Sequence, residues 1–275
     1  MKKPLVILTG PTAVGKTALS IQLAREIEGE IISADSMQVY KGMDIGSAKI
    51  RSEEMQGIPH YLIDELQPDE EFHVVRFQQM AKAYLQQIWQ RGHIPIIVGG
   101  TGFYIQALLY DIDFTENKND DAYRQEMVQV ASEKGSGHLA AEKGAEYLHQ
   151  MLAEVDPRSA QDIHANNVKR VIRALEFYHE TGQKISEHNE KERQKTSPYN
   201  FAYFVLNDDR NRLYHRIDQR IDIMLDDGLV EEVRALRAKG YTRDMVSMQR
   251  LGYKEILDYL AGEISLEEAV YRIKR

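Results

Sequence analysis

The sequence predicts an α/β protein, a parallel sheet core with helices on both faces that carries a helical insertion domain. Three observations predict it. Short apolar runs, PLVILT at 4–9, EIIS at 30–33 and IPIIV at 94–98, read as strands buried on both faces of a parallel sheet. Segments with apolar residues at helical spacing, such as Leu19, Leu23 and Ile27, separate these runs, so strands alternate with helices. After about residue 113 the alternation stops, and helical periodicity continues alone to about Gly182.

Taken in order, the first run enters GPTAVGKT (10–17), and Lys16 to Ile27 follows as a helix. EIIS leads to Asp35. GIPHYLID (57–64) reads as another extended segment, and a long helix is expected from about Val74 to Gln90. IPIIV runs into GGTG and a further helix. FTENKNDDAYRQ (114–125) is polar and loop-like, and EKGSGHLAAEKGAEYLH nearly repeats EKG at 133 and 142, the mark of a small local duplication. YNFAYFVLN (199–207) restores a strand and completes the sheet. From Asp209 to Arg275 the pattern is helical, punctuated by Gly228, Gly240, Gly252 and Gly262. Residues 1–113 and 199–275 therefore form the α/β core, and 114–198 the insertion.

Composition bounds the function. A chain of 275 residues suits one large α/β domain with an insertion, or two domains, and 43% apolar residues can bury a real core. The net charge of -8 means that the protein as a whole does not seek nucleic acid electrostatically, so any basic surface is local. With no cysteine, disulfides, iron–sulfur clusters and thiolate zinc sites are excluded. The nine histidines include no HxxxH pair. The apolar run in MKKPLVILTG is too short for a signal peptide. No apolar stretch approaches the roughly 20 residues of a membrane span. A cytoplasmic protein is expected, with no membrane association and no obligate protein partner.

GPTAVGKT matches GxxxxGK[ST], which makes the core a P-loop parallel sheet. Gly10, Pro11, Thr12, Ala13, Val14 and Gly15 would wrap a phosphate with backbone N–H groups at the positive end of the next helix. Lys16 would reach the outer phosphate oxygens, and Thr17 would offer its hydroxyl to Mg2+. P-loop NTPases and kinases usually add an apolar strand ending in an Asp that holds the magnesium shell. Here IPIIV ends in GGTG instead. The acid appears at Asp35, at the carboxyl end of the second strand, where open α/β sheets place ligands. It suits a proton acceptor and equally a turn-forming or capping Asp. Thr101, in GGTG, is a candidate ligand or a helix N-cap.

GPTAVGKT, DSMQVYKGMDIGSAK (35–49), GIPHYLID, VGGTGFY (98–104), DPRSAQDIHANNVKRVIRALE (156–176) and QRLGYKE (249–255), in this order, closely resemble the tRNA dimethylallyltransferases over nearly the whole chain. The resemblance implies transfer of the prenyl group of dimethylallyl diphosphate to N6 of the adenosine just 3′ of the anticodon, with release of diphosphate. The cradle, Lys16 and a Thr17-bound Mg2+ would then stabilise a leaving group. Asp35 would accept the N6 proton, and Ser36, Met37, Gln38 and Thr101 would lie against a target nucleotide turned out of its stack.

The resemblance also makes the insertion a grip on the tRNA anticodon stem-loop, with Tyr123, Arg124, Gln161, Asp162, Ile163, His164, Ala165, Lys169 and Arg173 as candidate contacts. From Asn166 to Arg220 eleven Lys or Arg stand against eight Asp or Glu, so this stretch is locally basic. On NVKRVIRALEFY a stripe of Val168, Val171, Ile172, Leu175 and Tyr178 is expected to face the core, leaving Lys169, Arg170 and Arg173 for phosphates or for solvent. Arg212, Arg216 and Arg220 recur every four residues along one helix side. The resemblance puts an arginine of this region, Arg216 or Arg220, on the diphosphate, with salt bridges to Asp218 or Asp222 as the structural alternative.

Two departures stand out. The family often has Gln-Arg-Ile/Leu-His-Pro where this chain has Gln161, Asp162, Ile163, His164 and Ala165, which argues against phosphate contact at 162. The family also continues into a further basic helical segment beyond the point where this sequence stops. The rival readings are a P-loop small-molecule or nucleotide kinase, a prenyltransferase acting on free adenine nucleotides, and a non-enzymatic nucleotide-binding module.

Overall fold

The structure is a computed structural model and describes residues 1–114, 121–133 and 138–275. Residues 134–137 of the stretch with the near-repeated EKG, and residues 115–120 of the polar loop, lie outside the described residues. Two compact units emerge: residues 1–111 with 197–275, and residues 112–196.

The first unit is built on five parallel strands: β1 (Pro4–Thr9), β2 (Gly29–Ser33), β3 (His60–Tyr61), β4 (Ile94–Gly99) and β5 (Asn200–Val205), in the spatial order β3-β2-β4-β1-β5. The apolar runs are continuous because the inner strands are covered on both faces. Leu5, Ile7, Ile32 and Ile97 point to one core, and Ile31 and Ile96 to the other. Helix α1 (Lys16–Glu26) covers the second face through Ile21 and Ala24. After the short α2 (Ser52–Met55), helix α3 (Val74–Gln90) covers the first face. It buries Phe77, Ala81, Leu85 and Ile88, which are three and four residues apart. Helix α4 (Gly102–Leu109) joins it, with the Phe77 and Tyr104 rings stacked 4.8 Å apart.

GIPHYLID contributes only two strand residues, His60 and Tyr61. Leu62 and Asp64 adopt positive φ, at 61° and 54°, which turns the chain out of the sheet before a longer strand can form. YNFAYFVLN does complete the sheet, as the edge strand β5, paired with β1 from Pro4–Asn200 to Thr9–Val205.

Between β4 and β5 the chain forms the second unit: α5 (Asp121–Glu133), α6 (His138–Val155), α7 (Pro157–Asp162), α8 (Val168–Thr181) and α9 (Ile185–Arg193). Its core packs Met127, Leu148, Leu152, Ala160, Val171, Ile172 and Leu175. Asp156 ties it together. This buried carboxylate caps α7 through the Ser159 N–H and accepts from both the Ser186 N–H and hydroxyl at the start of α9. Burial alone would raise its pKa, and the hydrogen bonds from Ser186 and Ser159 overcome that and lower it.

Helices follow β5 in the first unit: α10 (Arg210–Asp226), α11 (Leu229–Ala238), a 3₁₀ turn (Ser247–Gln249), α12 (Tyr253–Leu260) and α13 (Leu266–Ile273). Among the described residues no helix is long and apolar enough to cross a membrane.

Candidate active site

The carboxyl ends of β1, β2 and β4 lie side by side and set the site. Thr9 donates its hydroxyl to the Gly99 carbonyl, the Ala34 N–H donates to the Val98 carbonyl, and the Thr101 N–H to the Ala34 carbonyl. This close approach requires glycine at 99: a Cβ there would lie 2.3 Å from the Ala34 carbonyl oxygen. Asp35 is the next residue, so the packing at Gly99 fixes where its carboxylate starts.

Residues 10–15 turn from β1 into α1. Ala13 and Gly15 have φ of 63° and 97°, and the first N–H groups of α1 face the loop. Lys16 Nζ donates to the carbonyls of Gly10 at 2.9 Å and Pro11 at 2.8 Å, folding the cation over the loop. Burial lowers its pKa, Asp35 opposes the shift, and the like charge of Arg220 adds to it. An anion held in the loop would favour the charged ammonium and replace the two carbonyls as its partner.

Asp35 is half-buried and does two things at once. Its Oδ1 accepts from the backbone N–H groups of Met37 (2.8 Å) and Gln38 (3.4 Å), the turn-forming role expected from sequence. Its Oδ2 has no hydrogen-bond partner among the described residues, and Asp35 lines a cleft of about 470 Å³ together with residues 12–18. One oxygen builds the turn and leaves the other for chemistry. Met37 and Gln38 line the same cleft, whereas Ser36 and Thr101, both half-buried, do not. Thr101 is the N-cap residue of α4, but its side chain makes no capping hydrogen bond. Gln38 is committed to the protein: its Nε2 donates to the Ala48 carbonyl at 3.2 Å.

Helix α10 forms another wall. Ile217, Ile221 and Met224 give it an apolar surface beside Arg220. The three in-line arginines differ in what they pair with. Arg216 pairs with Asp208 at 3.0 Å and reaches the Ala13 carbonyl at 3.4 Å, and Arg212 shares Asp208 at 3.6 Å. The carboxylate that relieves their repulsion is thus Asp208, just before the helix, and not Asp218 or Asp222; Asp222 pairs with Lys274. Arg220 has no carboxylate partner among the described residues and faces the cleft that Lys16 and Asp35 share.

In the second unit the candidate residues are spread over α5, α7, α8 and the turn between the last two. The Tyr123 ring stacks on His179, with centroids 4.1 Å apart and planes 4° from parallel. Arg124 pairs with the buried Glu176 at 3.1 Å. Gln161, Asp162, His164, Lys169 and Arg173 are exposed, and Ala165 is half-buried. Ile163 packs on the core of the unit, and its carbonyl accepts from His149 Nε2. The expected core stripe of α8 is corrected at its end: Tyr178 is exposed, and Phe177 is buried instead, its ring 5.0 Å from that of His188 on α9.

The IPP transferase family model matches residues 38–275. The chain belongs to this family. A tRNA dimethylallyltransferase of Lachnoclostridium phytofermentans is 60% identical over 99% of this chain and 84% of its own length. One of Bacillus cereus is 51% identical over 99% of this chain and 83% of its own length. Among solved structures, the full-length tRNA isopentenylpyrophosphate transferase of Bacillus halodurans superposes with a TM-score of 0.70 at 43% identity, covering 100% of this chain and 82% of that one. A eukaryotic dimethylallyltransferase described as acting on tRNA gives a TM-score of 0.80 at 31% identity, over 99% of this chain and 66% of that one.

In this IPP transferase the donor set of the cleft fits Mg2+. The described residues contain no cluster of three His, Cys, Asp or Glu that could cage a metal. Mg2+ however keeps several waters and is commonly held by one or two protein oxygens plus substrate phosphates. The exposed Thr17 hydroxyl, which has no protein partner among the described residues, lines the cleft and is the protein oxygen that would hold the ion.

Sequence reasoning gave no role to the segment Gly46–Ala48 or to Leu229, Leu251 and Gly252, all of which line the cleft. For Gly46–Ala48, Leu251 and Gly252 the signal was present as the quoted runs DSMQVYKGMDIGSAK and QRLGYKE, whereas Leu229 lies in neither. Only the fold brings those two runs together.

Proposed function

We propose that this protein transfers the dimethylallyl group of dimethylallyl diphosphate to N6 of the adenosine 3′-adjacent to the anticodon of tRNA. The observation that carries the reading is the free oxygen of Asp35 in one cleft with Lys16 and Arg220. It offers a proton acceptor opposite two cations, and β4 ends in Gly99 with no acid for a nucleotide-bound metal.

The residues divide the work. Backbone N–H groups of residues 12–17, Lys16 and Arg220 would bind the diphosphate and neutralise the negative charge that builds on it as the allylic C–O bond breaks. The N6 nitrogen forms the new C–N bond, and its proton passes to Asp35 Oδ2. Met37 and Gln38 would border the adenine, and the apolar face of Ile217, Ile221 and Met224 would keep water from the allylic carbon. Mg2+, bound through Thr17 and the diphosphate, would add positive charge at the leaving group. Arg216, tied to Asp208 and Ala13, would brace the loop. The exposed Lys169 and Arg173 on α8 of the second unit would meet tRNA phosphates. With tRNA as acceptor the protein would work in the cytoplasm.

The test supplies labelled dimethylallyl diphosphate and Mg2+ with either tRNA bearing adenosine beside its anticodon or free AMP. Label is expected in tRNA. Label in AMP alone would overturn the acceptor, and label in neither would overturn the reaction.

A further inference from the structure

The carboxylate of Glu232 on α11 receives an unusual set of donors. Oε2 accepts from the backbone N–H groups of Asp44 at 2.8 Å and Ile45 at 2.7 Å, and Oε1 from the Gly46 N–H at 3.1 Å and the Tyr253 hydroxyl at 2.8 Å. Three successive amides and a phenol thus converge on one side chain from two other parts of the unit. Successive N–H groups of this kind form a concavity suited to an anion, and here the protein supplies the anion itself.

Tyr253, in the QRLGYKE run, completes the arrangement. Its ring is fully buried against Gly46, where a Cβ would come within 2.6 Å of Cζ. Burial first, and then the Glu232 carboxylate, push the phenol above its ordinary pKa, so it stays protonated and remains a donor to Glu232. Gly252, whose N–H donates to Glu255 at 2.8 Å, is the preceding residue and lines the cleft.

The consequence reaches Asp35. Gly46, Ser47 and Ala48 line the cleft, and the Ala48 carbonyl accepts from Gln38 Nε2. Gln38 in turn donates its backbone N–H to Asp35 Oδ1. A continuous path runs from Glu232 through residues 44–48 and Gln38 to the carboxylate that faces the cleft. The far end of the segment is held separately, by buried Lys49 bonded to Asp44, Asp64 and the Tyr40 carbonyl.

We infer that Glu232 and Tyr253 are positioning residues that latch the Gly46–Ala48 segment against the cleft and so hold Gln38 and Asp35 in register for the acceptor. This deepens the proposed function and rests on it for the kinetic readout alone. Neither residue touches substrate. Their removal should therefore impair acceptor turnover far more than binding of the diphosphate, which contacts residues 10–17.

The test compares wild type, Glu232→Gln and Tyr253→Phe in the full chain. A glutamine amide would present hydrogens to N–H groups, whereas phenylalanine keeps the ring and removes one hydrogen bond. Amide hydrogen exchange at residues 44–46 is expected to accelerate at least tenfold in Glu232→Gln. Acceptor kcat/KM should fall ten- to hundredfold in Glu232→Gln and about three- to tenfold in Tyr253→Phe, while the Kd for inorganic diphosphate with Mg2+ stays within threefold. Unchanged exchange would overturn the latch. Accelerated exchange with wild-type acceptor kinetics would overturn the positioning role, and so would equal losses of diphosphate affinity and turnover. If Glu232→Gln fails to fold, Tyr253→Phe decides by the same criteria. Failure of wild type itself to prenylate tRNA would sink the proposed function and leave the exchange result standing.

Discussion

Asp35 is both a turn former and a cleft carboxylate, so two substitutions separate the roles. Asp35→Asn keeps an oxygen for the Met37 and Gln38 N–H groups but cannot take a proton. It should melt within a few degrees of wild type and slow transfer by about 10²–10⁴-fold, the range of general base catalysis. Asp35→Ala should lose about 1 kcal/mol of stability as well, because it also removes the turn acceptor. Thermal melting and single-turnover transfer would separate the two, and comparable rates for Asp35→Asn and wild type would remove Asp35 as the base. At Gly99 the expectation is steric. Gly99→Ala drives a methyl into the Ala34 backbone, so it should cost about 1–3 kcal/mol in denaturant unfolding and slow transfer through the displaced Asp35.

Two elements carry further predictions. At the opposite end of β2 from Asp35, buried Glu30 accepts from Arg91 Nε at 2.9 Å and Nη2 at 2.7 Å, from the Tyr61 hydroxyl, and from His93 Nδ1 at 2.6 Å. Burial alone would raise its pKa, but the hydrogen bonds of Arg91, Tyr61 and His93 outweigh it and hold the carboxyl down to about 2. The folded value lies below the unfolded one, so its stabilisation is complete above about pH 4.5 and is lost as the pH falls toward 2. Glu30→Gln should cost about 2–4 kcal/mol near neutral pH and flatten the acid limb of the stability curve. On α10 the two arginines differ in what they already hold. Arg220→Gln should weaken diphosphate binding by about tenfold to a hundredfold, an effect of ~1.4–3 kcal/mol, and Arg216→Gln by less, since Arg216 already serves Asp208 and Ala13. Isothermal titration with diphosphate reads both.

The same elements explain what the sequence made legible. Periodicity placed the helix at Val74–Gln90 because Phe77, Ala81, Leu85 and Ile88 face one core, and it placed β1, β2 and β4 because they are buried on both faces. It overextended β3 because apolar content in GIPHYLID says nothing of the positive φ at Leu62 and Asp64. It put Tyr178 on the buried stripe because it could not know that α9 would place His188 over Phe177. Of the site, the loop at 10–17 and Asp35 were readable from local motifs. Glu232 was not: it sits on an ordinary amphipathic helix, and the backbone N–H groups it accepts from lie 186–188 residues away.

On the scale of the whole molecule, the chain separates into a parallel-sheet unit that contains the cleft and a helical unit proposed to grip tRNA. That division predicts separable phenotypes. Lys169→Gln with Arg173→Gln should weaken tRNA binding and lower the salt slope by roughly one for each phosphate that is no longer neutralised, leaving diphosphate affinity unchanged. Filter binding across a salt series, beside diphosphate titration, would measure it, and an unaltered salt slope would remove α8 from the tRNA-binding surface. The loop at 10–17 is proposed to hold a leaving diphosphate in place of a nucleoside triphosphate. The most direct measurement incubates the protein with Mg2+, tRNA and dimethylallyl diphosphate, with and without ATP, and quantifies diphosphate, prenylated adenosine and ADP. One diphosphate per N6-prenylated adenosine is expected, with ATP neither required nor consumed; ATP-dependent phosphoryl transfer without prenylated adenosine would contradict a prenyl-transfer role for the loop.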